Sequence, residues 1–184
     1  MNPYCAEFNL GIYPLKDNFD PFTLPRIVHQ RLDVNTYLNP EISKLLNPLG
    51  IYISYIETFS HWQLYQPTNI HVDFAISDVS KLNWIFGGSD SSNQWFQLKS
   101  QAHGTKTITQ ANTGSITYNS DKVEKLLYNY PARKNSFIFQ AGIPHKACIG
   151  KEKRCCISMI PKWIDNNKTL TFQEAINALS DYLI

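Results

Sequence analysis

The chain is a succession of short β-branched and aromatic runs cut apart by turn-formers, and this constrains its fold more than any other feature. IYISYIET (51–58), HWQLYQ (61–66), NIHVDFAI (69–76), KLNWIFG (81–87), WFQLK (95–99), GSITYN (114–119), SFIFQAG (136–142) and RCCISMIPKWI (154–164) all favour extended backbone. PTN, GGSDSSN and AHGT punctuate them. Many short strands with few helices predict a mainly β (α+β) sandwich or barrel. The segment SDKVEKLLYNYP (120–131) fits a helical turn and a loop equally well.

Two helices flank these strands. In NPEISKLLN, Asn39 caps, Pro40 suits the first helical position, Glu41 complements the dipole and Asn47-Pro48 ends the helix. Near the C-terminus, Thr171 and Glu174 form a capping box, after which Phe172, Ala175, Ile176, Leu179 and Leu183 share one face. That face is expected to pack on the outside of the sheet. Residues 1–34 hold four prolines and read as an irregular lead-in with one edge strand around Ile27–Leu32.

At 184 residues with 43% apolar content, the chain is expected to form a single domain around one core. Residues 1–50 would be a flanking segment and 170–184 a terminal helix. Lys plus Arg minus Asp plus Glu is 17 − 15 = +2, which predicts neither a nucleic-acid partner nor a basic membrane patch. No apolar run approaches the roughly 18 residues of a membrane-spanning helix. MNPYCAEFNLGIYPLKD lacks the basic and apolar regions of a secretory leader, so a cytoplasmic location is expected. The four cysteines (5, 148, 155 and 156) contain no CxxC pair and read as reduced, buried thiols.

Of the five histidines, only His71 belongs to a short acidic motif, His71-Val72-Asp73. On an extended chain, residues two apart share a face, so this imidazole and carboxylate can meet one metal ion while Val72 packs behind. Downstream, His145 follows Pro144 and opens a strand-like stretch. The turn Gly150-Lys151-Glu152-Lys153 is expected to reverse the chain and lay the strand of Arg154 beside that of His145. Both side chains would then project into one cavity, where a buried arginine needs an anion and its planar fork suits a carboxylate. Two imidazoles and one carboxylate form the facial triad of non-haem Fe(II) oxygenases, with positions left for a chelating cosubstrate and O2.

HxD, then about seventy residues, then PH…G…R..IS resembles the Fe(II)/2-oxoglutarate-dependent oxygenases, most nearly their small prolyl-hydroxylase-like members. KLNWIFGG is similar to the strand that follows HxD in many of them. The resemblance spans about residues 60–162. It implies a double-stranded β-helix, a jelly-roll (cupin-like) barrel with the site at its mouth. It further implies that His71, Asp73 and His145 ligate Fe(II). Arg154 would anchor the distal carboxylate of 2-oxoglutarate, assisted by Ser158 on the same strand face and by a polar neighbour, either Asn83 or Tyr65. The implied reaction is hydroxylation of an unactivated C–H bond of a small molecule or peptidyl side chain, releasing succinate and CO2. The carboxylate at position 73 fills the place that halogenating relatives vacate.

Trp84 and Trp95 are candidate substrate contacts, although aromatic residues more often pack a core. The polar loop 87–94 can be read as a lid or as an ordinary hairpin loop. The alternative function is a cupin-like metal-dependent isomerase or lyase, or a jelly roll that only binds. Arg154 discriminates, because those proteins need no dicarboxylate anchor.

Overall fold

A computed structural model describes residues 2–16, 19–23, 29–61, 68–73, 78–108, 114–131 and 136–184. Two antiparallel six-stranded sheets face each other. The first contains β1 (Cys5–Phe8), β2 (His29–Leu32), β3 (Ile51–His61), β5 (Ser80–Gly87), β10 (Ser136–Gln140) and β12 (Arg154–Trp163), in the order β1-β10-β5-β12-β3-β2. The second contains β4 (Ile70–Asp73), β6 (Ser92–Leu98), β7 (Thr105–Ile108), β8 (Gly114–Tyr118), β9 (Val123–Pro131) and β11 (His145–Cys148), in the order β7-β8-β4-β11-β6-β9. From β3 to β6 and from β9 to β12, each successive strand changes sheets. The fold is therefore mainly β, a double-stranded β-helix of jelly-roll type with flanking helices.

Among the described residues three α-helices lie alongside: α1 (Val34–Tyr37), α2 (Pro40–Leu46) and α3 (Phe172–Ala178). The Asn39 side chain accepts from the Glu41 amide at 3.0 Å, and Thr171 and Glu174 close the expected capping box. Ile42 and Leu46 of α2 join Phe172, Ala175 and Ile176 of α3 in a core formed with Leu82, Trp84, Ile157 and Met159, on the outer face of the first sheet. A second, smaller core of Ile85, Trp95, Phe137, Phe139 and Cys156 fills the space between the sheets. Side chains alternate along a strand, so β5 and β12 serve both layers at once. Even positions 82 and 84 face the helices, whereas 81, 83 and 85 face inward.

Three elements depart from the sequence reading. The lead-in contributes β1 as well as an edge strand, β2. The undecided segment 120–131 is a 3-10 turn (Ser120–Lys122) followed by β9. Its pairing with β6 shifts register between Trp95 and Phe96 and again between Gln97 and Leu98, which erases the two-residue period that marks a strand. Most consequentially, β11 and β12 do not pair. Both edges of β11 are taken, by β4 and β6, so the chain crosses to the opposite sheet, where β12 inserts between β5 and β3. His145 and Arg154 thus meet across the cavity from facing sheets rather than from neighbouring strands.

The loop 87–94 is fastened where the structure shows it. The Asp90 carboxylate accepts from the amides of Lys151 and Glu152 at 2.5 and 3.4 Å, and the Ser89 amide and hydroxyl both donate to Glu152 at 2.8 Å. It is a turn buttoned to a second turn, with Gly87 and Gly88 at φ +65° and +60°. The lid reading is set aside for the hairpin one.

Candidate metal centre

The short strand β4 presents His71 and Asp73 to the interior, with Val72 buried on the other face. His145, the first residue of β11, pairs in register with His71. Their rings lie 4.4 Å apart between centroids. The ligand atoms of His71, Asp73 and His145 all fall within 4.8 Å of one another. Nε2 of His71 is 3.5 Å from Asp73 Oδ1, and Nε2 of His145 is 3.7 Å from Asp73 Oδ2.

The tautomers are set by the backbone. Nδ1 of His71 lies 2.8 Å from the Asn69 carbonyl, and Nδ1 of His145 lies 2.8 Å from the Ile143 carbonyl. A carbonyl only accepts, so each Nδ1 carries the proton and each Nε2 turns its lone pair toward the common point, as metal-bound imidazoles do. Burial, with His71 nearby, holds the His145 imidazolium down to about pKa 3, so the ring is neutral and ready to ligate. Neutral nitrogen and hard oxygen donors with an open side suit Fe(II) and its neighbours in the first row.

Asp73 has a further partner. Lys81, buried on the inner face of β5, places Nζ 2.8 Å from Asp73 Oδ2 and 2.8 Å from Glu57 Oε2. Glu57 Oε1 in turn lies 3.2 Å from Nε2 of His29. Burial alone would raise the Asp73 carboxyl, but Lys81 and the two histidines outweigh it and hold it below the usual carboxylate range. Glu57 is likewise pushed up by burial and brought down further by Lys81 and His29. Lys81 itself is shifted upward, because its two carboxylates outweigh its desolvation. All three groups are charged at neutral pH.

His71, Asp73, His145, Lys81 and His29 line a cavity of about 270 Å³. Arg154 lines the same cavity from the first sheet, between His61 on β3 and Gly87 on β5. It is 3% exposed, and among the described residues no carboxylate pairs with it. Nη2 donates to Asn93 at 3.3 Å, and Nε has no hydrogen-bond partner among the described residues. Neither do Asn83 Oδ1, Asn93 Nδ2, Ser158 Oγ or His61 Nδ1, all from cavity-lining residues. Leaving a buried polar atom unpaired costs about 1–3 kcal/mol. Of these, Arg154 Nε, Asn93 Nδ2 and Ser158 Oγ can donate, and with the charge of the guanidinium they describe a site shaped for a polar, anionic ligand. Burial and Arg154 together hold His61 down to about pKa 4, so the arginine's charge is not duplicated beside it.

The stem of Arg154 is held by glycine. A Cβ on Gly88 would sit 2.7 Å from Arg154 Cβ and 2.9 Å from its Cγ. Only a residue without a side chain lets the turn close over the arginine.

Of the residues singled out from sequence, His71, Asp73, His145, Arg154, Ser158 and Asn83 therefore share one cavity. Ser158 and Asn83 are directly paired between β12 and β5. Tyr65 lies outside the described residues. The two tryptophans do not line the cavity. Trp84 turns to the helix side and meets Phe8 edge-on at 5.3 Å. Trp95 is fully buried, donates its indole N–H to the Gln140 carbonyl at 2.9 Å and packs at a tilt against Phe139, whose ring in turn meets His145 edge-on. Trp95 supports a ligand from behind; neither tryptophan is placed for substrate contact. Even-numbered Trp84 alternates with Lys81 and Asn83, so its outward direction follows from the strand period.

Sequence reasoning missed Lys81, Glu57 and Asn93, and assigned nothing to His29 or His61. The signal for Lys81 and Glu57 was present. Each is the one Asp, Glu, Lys or Arg in its strand, and a buried charge requires a partner. It also missed that the β7–β8 hairpin extends the second sheet past β4 and lines the cavity with Thr107, Ser115 and Thr117.

No protein-family model matches the sequence, and no curated protein matches it. Among solved structures, one from a study of the mechanism of oxalate oxidase is similar at 12% identity and a TM-score of 0.32, covering 91% of this chain and 77% of that one. What the chain itself carries is a jelly-roll fold with a possible metal-binding triad, His71, Asp73 and His145.

Proposed function

We propose that the protein is an Fe(II)- and 2-oxoglutarate-dependent dioxygenase that hydroxylates an unactivated C–H bond. The observation that carries this reading is Arg154, a buried guanidinium without a carboxylate partner among the described residues, facing the triad across one cavity. A metal site that needs no dicarboxylate has no use for it.

His71, Asp73 and His145 would hold the ion through two Nε2 atoms and a carboxylate oxygen. With 2-oxoglutarate and O2, Fe(II) supplies the oxidising chemistry, and succinate and CO2 are released. The chain's own residues orient and shield. Arg154 fixes the distal carboxylate of 2-oxoglutarate, and Ser158 Oγ donates to it from the same strand face. Asn83 and Asn93 complete the polar end. Cys156, Phe59 and Phe139 add less polar wall to the cavity and would limit water near the reacting centre. The cavity is at the small end for ligand sites, which favours a small molecule or a single peptidyl side chain as substrate.

The test is succinate formation from 2-oxoglutarate in air by the Fe(II)-loaded protein. Succinate that depends on Fe(II), and that falls in Arg154→Ala, supports the reading. No succinate above a protein-free control, with or without candidate substrates, contradicts it.

A further inference from the structure

Lys81 has no role in the reading above, yet its ammonium is the group that touches the metal-ligand carboxylate most closely. It is 3% exposed. It reaches Asp73 Oδ2 at 2.8 Å, closer than either histidine nitrogen approaches that carboxylate. Its second hydrogen bond goes to Glu57, so the ammonium is held from both sides and cannot swing away without stranding a buried carboxylate.

We propose that Lys81 is a positioning residue that keeps Asp73 a one-oxygen ligand. By occupying Oδ2 it leaves Oδ1 for the metal and prevents the carboxylate from turning to chelate with both oxygens. That preserves a coordination position that a chelating acid or O2 would need. A lone ammonium so near would repel a dication. Glu57 answers this, since the charges of Glu57, Lys81 and Asp73 sum to −1, the same as Asp73 alone. The pair therefore delivers a hydrogen bond to Oδ2 without adding net charge. The Glu57–His29 contact holds the far end of the chain at 3.2 Å.

The inference rests on the metal reading of the site but not on 2-oxoglutarate, so its test uses Mn2+ alone. Affinity is read from the EPR signal of free Mn2+, and the number of inner-sphere waters from the water-proton relaxation of bound Mn2+. In Lys81→Met, Asp73 is free to bind through both oxygens. The expected result is Mn2+ affinity equal to or up to about tenfold tighter than in the unaltered protein, with one fewer inner-sphere water. Glu57→Gln leaves the ammonium uncompensated and should weaken Mn2+ about tenfold.

Should Lys81→Met fold poorly, the double variant Glu57→Gln/Lys81→Met removes both charges together and must show the same lost water. A residue that merely filled space would give weaker Mn2+ binding with the water count unchanged, and that result overturns the proposal. Failure of the unaltered protein to bind Mn2+ overturns the metal reading with it. Normal Mn2+ results without any 2-oxoglutarate binding would leave Lys81's role standing and remove only the cosubstrate.

Discussion

His71 and His145 stand directly opposite each other on paired strands, and each gives its Nδ1 proton to the carbonyl two residues before it. The two imidazoles are thus oriented alike by backbone alone, with both Nε2 atoms converging beside Asp73. This pre-organisation suits the two rings to bind one metal ion together with Asp73.

Removing any one of the three donors should therefore remove the metal. His71→Ala, Asp73→Ala or His145→Ala is expected to weaken Mn2+ or Fe(II) binding by about 100-fold or more, the upper end of what loss of even a supporting contact does. Calorimetric titration checks this. His71→Ala, at the least buried of the three positions, should also leave the melting temperature of the metal-free protein within a few degrees.

Arg154→Ala should spare the metal and lose the dicarboxylate. A buried, charge-assisted contact is worth about 3 kcal/mol, so the 2-oxoglutarate dissociation constant should rise roughly 100-fold while metal affinity stays put. Gly88→Ala should give a milder version of the same effect. Its Cβ would meet the arginine stem at 2.7 Å, and its left-handed φ costs an alanine about 1 kcal/mol in addition. Titration with 2-oxoglutarate in the presence of Mn2+ separates both variants from a metal-binding defect.

Ser158→Ala trades function for stability. Its hydroxyl is buried without a hydrogen-bond partner among the described residues, so deleting it should leave the metal-free protein as stable or more stable by up to about 1 kcal/mol. The same change should weaken 2-oxoglutarate several-fold. Urea unfolding and ligand titration on one preparation test the two signs together.

Stability of the metal-free protein should fall on mild acidification. His145 and His61 are held down to about 3 and about 4, below the roughly 6.5 of an unfolded histidine. Their folded pKa values are depressed, so their contribution is fully present above about pH 6.5 and is lost as pH falls toward those values. In that window the unfolded chain binds the extra proton, and each histidine lowers stability by up to about 1.4 kcal/mol per pH unit. Thermal melts between about pH 7 and 4.5 should show this slope, and His61→Asn should make it shallower.

Much of this arrangement was legible in the sequence. Alternation and turn residues marked most of the strands, because one face of each is buried and the breakers between them are chemically distinct. The capping residues Asn39 and Thr171 marked two helices, because a cap is a local interaction. HxD placed two ligands on one face by the geometry of an extended chain. Sheet membership was not legible. Nothing local distinguishes a reversal from a crossing at Gly150–Lys153, since the outcome depends on β11 having both edges filled. The directions of Trp84 and Trp95 likewise depended on which layer each strand face meets. Lys81 and Glu57 each carried a local signal, a charge within a strand-like run, but their pairing joins residues 24 apart in the chain and no short window shows it.

The most direct test is an anaerobic titration of the Fe(II)-loaded protein with 2-oxoglutarate, followed in the visible. The predicted result is a weak charge-transfer band that saturates at about one equivalent, is much reduced in Arg154→Ala and disappears on admission of air as succinate forms. A spectrum that stays flat through the titration, with no succinate after air, would contradict the assignment of this cavity to iron and a 2-oxo dicarboxylate.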